Sequence, residues 1–227
     1  MTIIQQNLLN IKDRIVQIAD KYYRSPEDIT LLAVTKNKSC DIIQNAIDVG
    51  QRQFGENYQQ EGIEKIIYFS NQHDLIWHFI GAMQSNKIHL IAKYFDWCHT
   101  IDKLKTAKLL NRYRPINKSP INVLIQINIS NEINKSGISP KELNKLASEI
   151  VLLKNLKLRG LMAIPDPKNE LFQQISIFYS MENLFSKFKK EYPNIDTLSM
   201  GMSSDFDIAI AYGSTLIRIG EGIFGPR

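Results

Sequence analysis

The sequence predicts an α/β fold in which parallel strands alternate with helices and close into a (β/α)8 barrel. Three observations predict it. Short β-branched runs recur along the chain, each followed by a stretch with apolar residues at helical spacing. The connections between them are short, as in a parallel sheet. The chain has 227 residues, 44% of them hydrophobic, an ordinary length for one such barrel. An open doubly wound sheet is the alternative, but the Gly-rich dinucleotide fingerprint after the first strand is missing. No linker, low-complexity segment or repeat marks a second domain, so residues 1–227 read as one domain.

The elements follow in order. Ile4, Leu8, Ile11, Ile15, Ile18 and Tyr22 predict an amphipathic N-terminal helix over 2–22. The run 29–36 is apolar and β-branched, reads as a strand buried on both faces, and ends on Lys36. Ser39 or Asp41 caps a helix through Val49, closed by Gly50. A short strand over 51–55 leads to Asn57 and a helix to Tyr68. Strand three covers 76–80, followed by a helix over 85–93. Strand four covers 94–100, followed by a helix over 103–113. Strand five, 121–129, has Val123, Ile125, Ile127 and Ile129 on one face and Asn122, Leu124, Gln126 and Asn128 on the other. A helix over 140–154 precedes strand six, 156–164, which Pro165 and Pro167 stop. A long amphipathic helix runs from Leu171 to Pro193. Strand seven covers 196–200, Ser203 or Ser204 caps a helix through Ala211, and strand eight covers 215–219. No helix is expected after strand eight, and the N-terminal helix is expected to take its place.

Composition limits the function classes. The net charge is +5 and the pI about 9.1, but the basic residues are dispersed and not interleaved with aromatics, so no nucleic-acid partner is expected. The first helix contains Asp13 and Asp20, wrong for a signal peptide, and no apolar run approaches a membrane span. Two cysteines, Cys40 and Cys98, make no disulfide framework, and a cytoplasmic setting is expected. His73, His78, His89 and His99 lack zinc-ligand spacing, so no metal is expected.

In such barrels the active groups come from the C-terminal ends of the strands. Alternation then places Leu32, Val34 and Lys36 on the inner face, with His78, Gln126, Asn128 and Arg218. Lys38 and Lys135 read as solvated, and His78 equally as a core or a site residue. A buried lysine has a lowered pKa and a usable amine. Lys36 and Arg218 have no obvious matching carboxylate, and an unpaired buried charge costs several kcal/mol, which an anionic ligand would offset. The loops after strands seven and eight, Ser199–Ser204 and Gly220–Gly222, are rich in Gly or Ser and suit a phosphate. An amine, an internal cation and a phosphate cradle suggest pyridoxal 5′-phosphate (PLP) held as a Schiff base, beside the option of a sugar-phosphate site.

Motifs run nearly end to end: Leu32–Lys36, Phe54–Tyr58, Trp77–Gly81 with Gln84–Lys87, Lys135–Gly137, Gly160–Ile164, Leu198–Ser203 with Asp205, and Gly213–Thr215 through Arg218–Gly220 to Ile223–Gly225. In these segments the chain resembles the pyridoxal phosphate homeostasis protein family, single-domain relatives of the alanine racemase N-terminal barrel. The resemblance implies that Lys36 carries PLP and Arg218 faces the pyridine nitrogen. It further implies that Ser203, Gly220 and the Glu221 backbone hold the phosphate, and that Asn57 lines the pocket. Met83 is left outside the site. The implied role is storage, buffering or delivery of PLP without turnover, the alternative being a low-activity PLP-dependent racemase or lyase. Racemases of this type draw a second base, a tyrosine, from an additional β-domain. The chain ends just past strand eight, so one face of the bound cofactor is expected to lack a base. PLP-dependent apo-enzymes are the implied partners. A monomer is expected, with a dimer the alternative.

Overall fold

A computed structural model describes residues 1–130, 135–165 and 170–226. Helix α1 (Ile3–Lys21) opens on a capping box: Gln5 N–H donates to Thr2 Oγ1 at 3.4 Å, and Thr2 N–H donates to Gln5 Oε1 at 2.9 Å. Its apolar stripe, Leu8, Ile11, Ile15, Ile18 and Ala19, is buried.

The strands and helices then alternate. In the first half they are β1 (Thr30–Val34), α2 (Cys40–Asp48), β2 (Gln53–Glu56), α3 (Gln59–Tyr68), β3 (Ile76–Phe79), α4 (Ile88–Tyr94) and β4 (Trp97–Ile101). The second half holds α5 (Leu104–Tyr113), β5 (Ile121–Gln126), α6 (Leu143–Ile150), β6 (Leu156–Met162), α7 (Leu171–Glu191), β7 (Thr197–Ser199), α8 (Phe206–Ala211), β8 (Leu216–Ile219) and α9 (Glu221–Phe224). The strands form a closed, all-parallel barrel in chain order, and β1 completes the ring against β8 with Leu32 opposite Arg218. The predicted (β/α)8 architecture is therefore the observed one.

Alternation sorts the core into two layers. Leu31, Ala33, Val123, Ile125, Ile217 and Ile219 belong to the large cluster between sheet and helices. Leu32, Ile80 and Leu216 with Val34 form one smaller cluster, and Trp97, Leu124 and Met162 with Ile76 form another. These two fill the barrel itself, each fully buried side chain contributing about 1.5–3 kcal/mol. The β5–β6 register shifts between Val123 and Leu124. There Gly160, at φ 147°, lies against Thr197; a Cβ would sit 1.9 Å from the Thr197 carbonyl oxygen.

Several boundaries differ from expectation. α9 is a helix after strand eight: one turn capped by Gly220, too short to show periodicity. α1 packs against α9 as well as α8 and α2, so the N-terminal helix does occupy the expected gap. Asp205, not Ser203 or Ser204, occupies the N-cap position of α8, and its Oδ1 accepts from Met202 N–H at 2.6 Å in the preceding turn instead of bonding the helix. Tyr94 ends α4 instead of opening strand four, which begins at Trp97. The helix expected over 140–154 is a 3-10 turn, Pro140–Glu142, followed by α6, which ends at Ile150. Pro167 lies outside the described residues. Among the described residues no helix is long and apolar enough to cross a membrane.

Candidate functional site

Lys36 lies two residues beyond the end of β1, in a turn rather than on the strand. It is half-buried, not enclosed, and its ammonium has no hydrogen bond or ion pair among the described residues. The turn around it is fixed. Thr35 N–H donates to Gly55 O at 3.0 Å, Lys38 N–H donates to Thr35 O at 3.0 Å, and Asn37 takes φ 61°. Beneath it Lys65 Nζ donates to Thr35 O at 2.6 Å, Glu56 Oε1 at 2.7 Å and Glu61 Oε1 at 2.7 Å. Thr35 Oγ1 donates to Glu56 Oε1 at 2.5 Å, and Asn37 N–H to Glu61 Oε1 at 2.6 Å. Burial pushes the Glu56 carboxyl up, and the Lys65 charge with hydrogen bonds from Lys65 and Thr35 pulls it back.

Arg218, on β8, is buried inside the barrel. Its Nη1 donates to Ser199 Oγ at 2.8 Å and its Nη2 to Ala163 O at 3.0 Å. Two of a guanidinium's five N–H donors are thus used, leaving three without a protein acceptor among the described residues. Burial lowers its pKa to about 10, opposed by the charge of Asp205, so it remains a cation at neutral pH. Asp205 is the carboxylate that sequence reading did not count against Arg218. It is buried, and among the described residues it forms no ion pair within contact distance and its Oδ2 has no partner.

Behind Arg218 lie two imidazoles, His99 and His78, meeting edge to face with ring centroids 5.1 Å apart. Ser199 Oγ is 3.3 Å from His99 Nδ1, and His99 Nε2 is 2.9 Å from His78 Nδ1. Trp97 stacks on His78 with ring centroids 5.1 Å apart. Burial pushes His78 down to about 3 and lowers His99, so both rings are neutral. His78 therefore sits inside the barrel as expected, in a hydrogen-bonded pair.

The loops after β7 and β8 meet. Ser203 Oγ accepts from Gly222 N–H at 3.2 Å, at the start of α9. Gly220 lies beside Val34: a Cβ on it would sit 3.5 Å from the Val34 Cβ. Ser203, Gly220 and Glu221 are thus brought together next to the strand that delivers Lys36. Asn57 follows β2, and its backbone packs so tightly on Gly81 that a Cβ there would lie 1.8 Å from the Asn57 carbonyl oxygen. Gln126 Nε2 and Asn128 Nδ2 hold the Lys135–Ser136 backbone, donating to Ser136 O and Lys135 O at 3.3 Å each. Lys38, read as solvated, is half-buried and donates to Phe224 O at 3.2 Å, because α9 leaves a terminal carbonyl in its reach.

The family described as "Alanine racemase, N-terminal domain" matches residues 6–227. The pyridoxal phosphate homeostasis protein of Escherichia coli is 54% identical over 229 aligned residues, covering 100% of this chain and 98% of that protein. The chain belongs to the pyridoxal phosphate homeostasis protein family. Among solved structures, PipY of Synechococcus elongatus with PLP bound is 30% identical, with a TM-score of 0.85 over 98% of this chain and 100% of that one. An alanine racemase from Clostridium difficile shares the fold alone: 17% identity and a TM-score of 0.74, over 99% of this chain and 56% of the racemase.

For this member of the pyridoxal phosphate homeostasis family, sequence reading missed His99 and Ser199 as companions of Arg218, and Glu56 and Lys65 as the support of the Lys36 turn. Alternation offered a signal for the first pair, since His99 shares a face with Trp97, as Ser199 does with Thr197. Among the described residues no group of three or more His, Cys, Asp or Glu could hold a metal ion.

Proposed function

We propose that this chain binds PLP through Lys36 and stores, buffers or hands on the coenzyme without turning over a substrate. The observation that carries the reading is Arg218: among the described residues, a buried cation with no contact ion pair and three unused donors, in the barrel whose mouth holds the Lys36 amine, which has no partner there either. The donor set fits the coenzyme. PLP supplies an aldehyde that condenses reversibly with a primary amine, and it carries a phosphate and a ring nitrogen as further acceptors. Lys36 offers the amine, and Ser203, Gly220 and the Glu221 backbone would receive the phosphate. Asn57 would line the pocket, and Arg218 would face the ring nitrogen.

Arg218 also disfavours transaminase-like chemistry. A guanidinium donates and cannot accept, so a ring nitrogen facing it stays unprotonated and draws electrons weakly. The names of the relatives, and the PLP-bound state of PipY, support the same role. Two free cysteines agree with a reducing cytoplasm. PLP-dependent apo-enzymes are the proposed recipients.

The test is borohydride reduction of the protein loaded with PLP, followed by peptide mass spectrometry. A phosphopyridoxyl group on Lys36 supports the proposal. Modification of other lysines with Lys36 untouched overturns it.

A further inference from the structure

Arg218 is held from behind by side chains from three other strands, and the direction of each hydrogen bond can be worked out. The guanidinium has no acceptor, so the 2.8 Å contact runs from Arg218 Nη1–H to Ser199 Oγ. Suppose the Ser199 hydroxyl then donates to His99 Nδ1, 3.3 Å away. His99 carries its hydrogen on Nε2 and donates to His78 Nδ1 at 2.9 Å. One buried donor, His78 Nε2–H, is left over, and that atom is the one without a partner. In the opposite direction His99 donates to Ser199 and His78 donates to His99. Two groups are then unpaired, the Ser199 hydroxyl hydrogen and the His78 Nε2 lone pair. The structure offers no acceptor for that hydroxyl other than His99 among the described residues. Each orphan is unfavourable, so the first direction prevails.

We infer that Ser199, His99 and His78 form a one-way hydrogen-bond relay that positions Arg218, with each imidazole carrying its hydrogen on Nε2. The relay crosses the barrel interior from β8 through β7 and β4 to β3, and Trp97 stacked on His78 steadies its far end. Ser199 and Ala163 together tie down two donors of a long side chain that otherwise samples many rotamers. The three remaining N–H groups keep one orientation before any ligand arrives, which lowers the ordering cost of binding. The relay's link to PLP affinity rests on the proposed function; its tautomers do not.

Two measurements test it. Long-range 15N–1H correlation of histidine-labelled, ligand-free protein reads the tautomers directly. Hydrogen on Nε2 of both His78 and His99 is expected, and hydrogen on His99 Nδ1 overturns the relay whether or not the protein binds PLP. PLP titration then compares His99→Gln with His99→Leu. Glutamine can accept from Ser199 and donate to His78, whereas leucine can do neither. His99→Gln is expected to bind within about threefold of the native chain and His99→Leu about tenfold or more weaker. Equal affinities for the two variants overturn the positioning role.

Discussion

Lys65 Nζ lies 2.7 Å from Glu56 Oε1, and both side chains are sealed from solvent directly beneath the turn that carries Lys36. One ammonium there serves Glu56, Glu61 and the Thr35 carbonyl at once. The Lys36 amine stands above this buried ionic knot.

Breaking that knot from one side is costly. Lys65→Ala leaves the Glu56 carboxylate buried and unpaired, and a loss of about 3–5 kcal/mol is expected in urea unfolding. Lys65→Met combined with Glu56→Leu removes both charges and is expected to recover most of the loss. A single variant as stable as the native chain would refute this account of the pair.

Arg218→Ala removes the interior cation. The dissociation constant for PLP is expected to rise at least about tenfold, or about 1.4 kcal/mol, by fluorescence titration. Arg218→Lys is not expected to restore binding, because an ammonium cannot occupy the fork that Ser199 and Ala163 receive. Native-like affinity in either variant would contradict the site.

Acid is expected to weaken the fold through the barrel histidines. Burial holds His78 near 3 in the native state against 6.5 when unfolded, so the unfolded chain binds more protons between those values. Stability therefore falls as the pH drops below about 6.5, by up to about 1.4 kcal/mol per pH unit for this group, and His99 acts in the same direction. Urea midpoints at several pH values check this. A slope that is unchanged in His78→Gln would show that other groups carry it.

PLP-loaded protein incubated with single-enantiomer amino acids is expected to leave optical activity unchanged. Racemisation that disappears in Lys36→Ala would establish an enzyme instead of a carrier.

The strands and their inward faces were legible because alternation depends on sequence alone: Leu32, His78, Gln126 and Arg218 all point where period two puts them. The boundaries that failed depend on partners distant in sequence. α9 is a single turn whose carbonyls are met by Asn7 and Lys38, contacts that no local pattern encodes. The helix to Tyr68 was expected and is α3, but it also buries Gln59, Gly62 and Lys65, and apolar periodicity does not reveal that Lys65 points inward to Glu56. Alternation placed His78 in the lumen but not His99, and nothing local encodes that rings 21 positions apart touch.

Asn7 Nδ2 donates to Ile223 O at 3.0 Å, so α1 fastens α9. The mouth of the barrel beside Lys36 is accordingly tied together by residues far apart in sequence, Asn7 with Ile223 and Lys38 with Phe224. During synthesis the turn that bears Lys36 emerges well before Arg218 and the Gly220–Gly222 loop. The turn is therefore made before its neighbour Gly220 exists, and the two meet only when β8 closes the ring against β1.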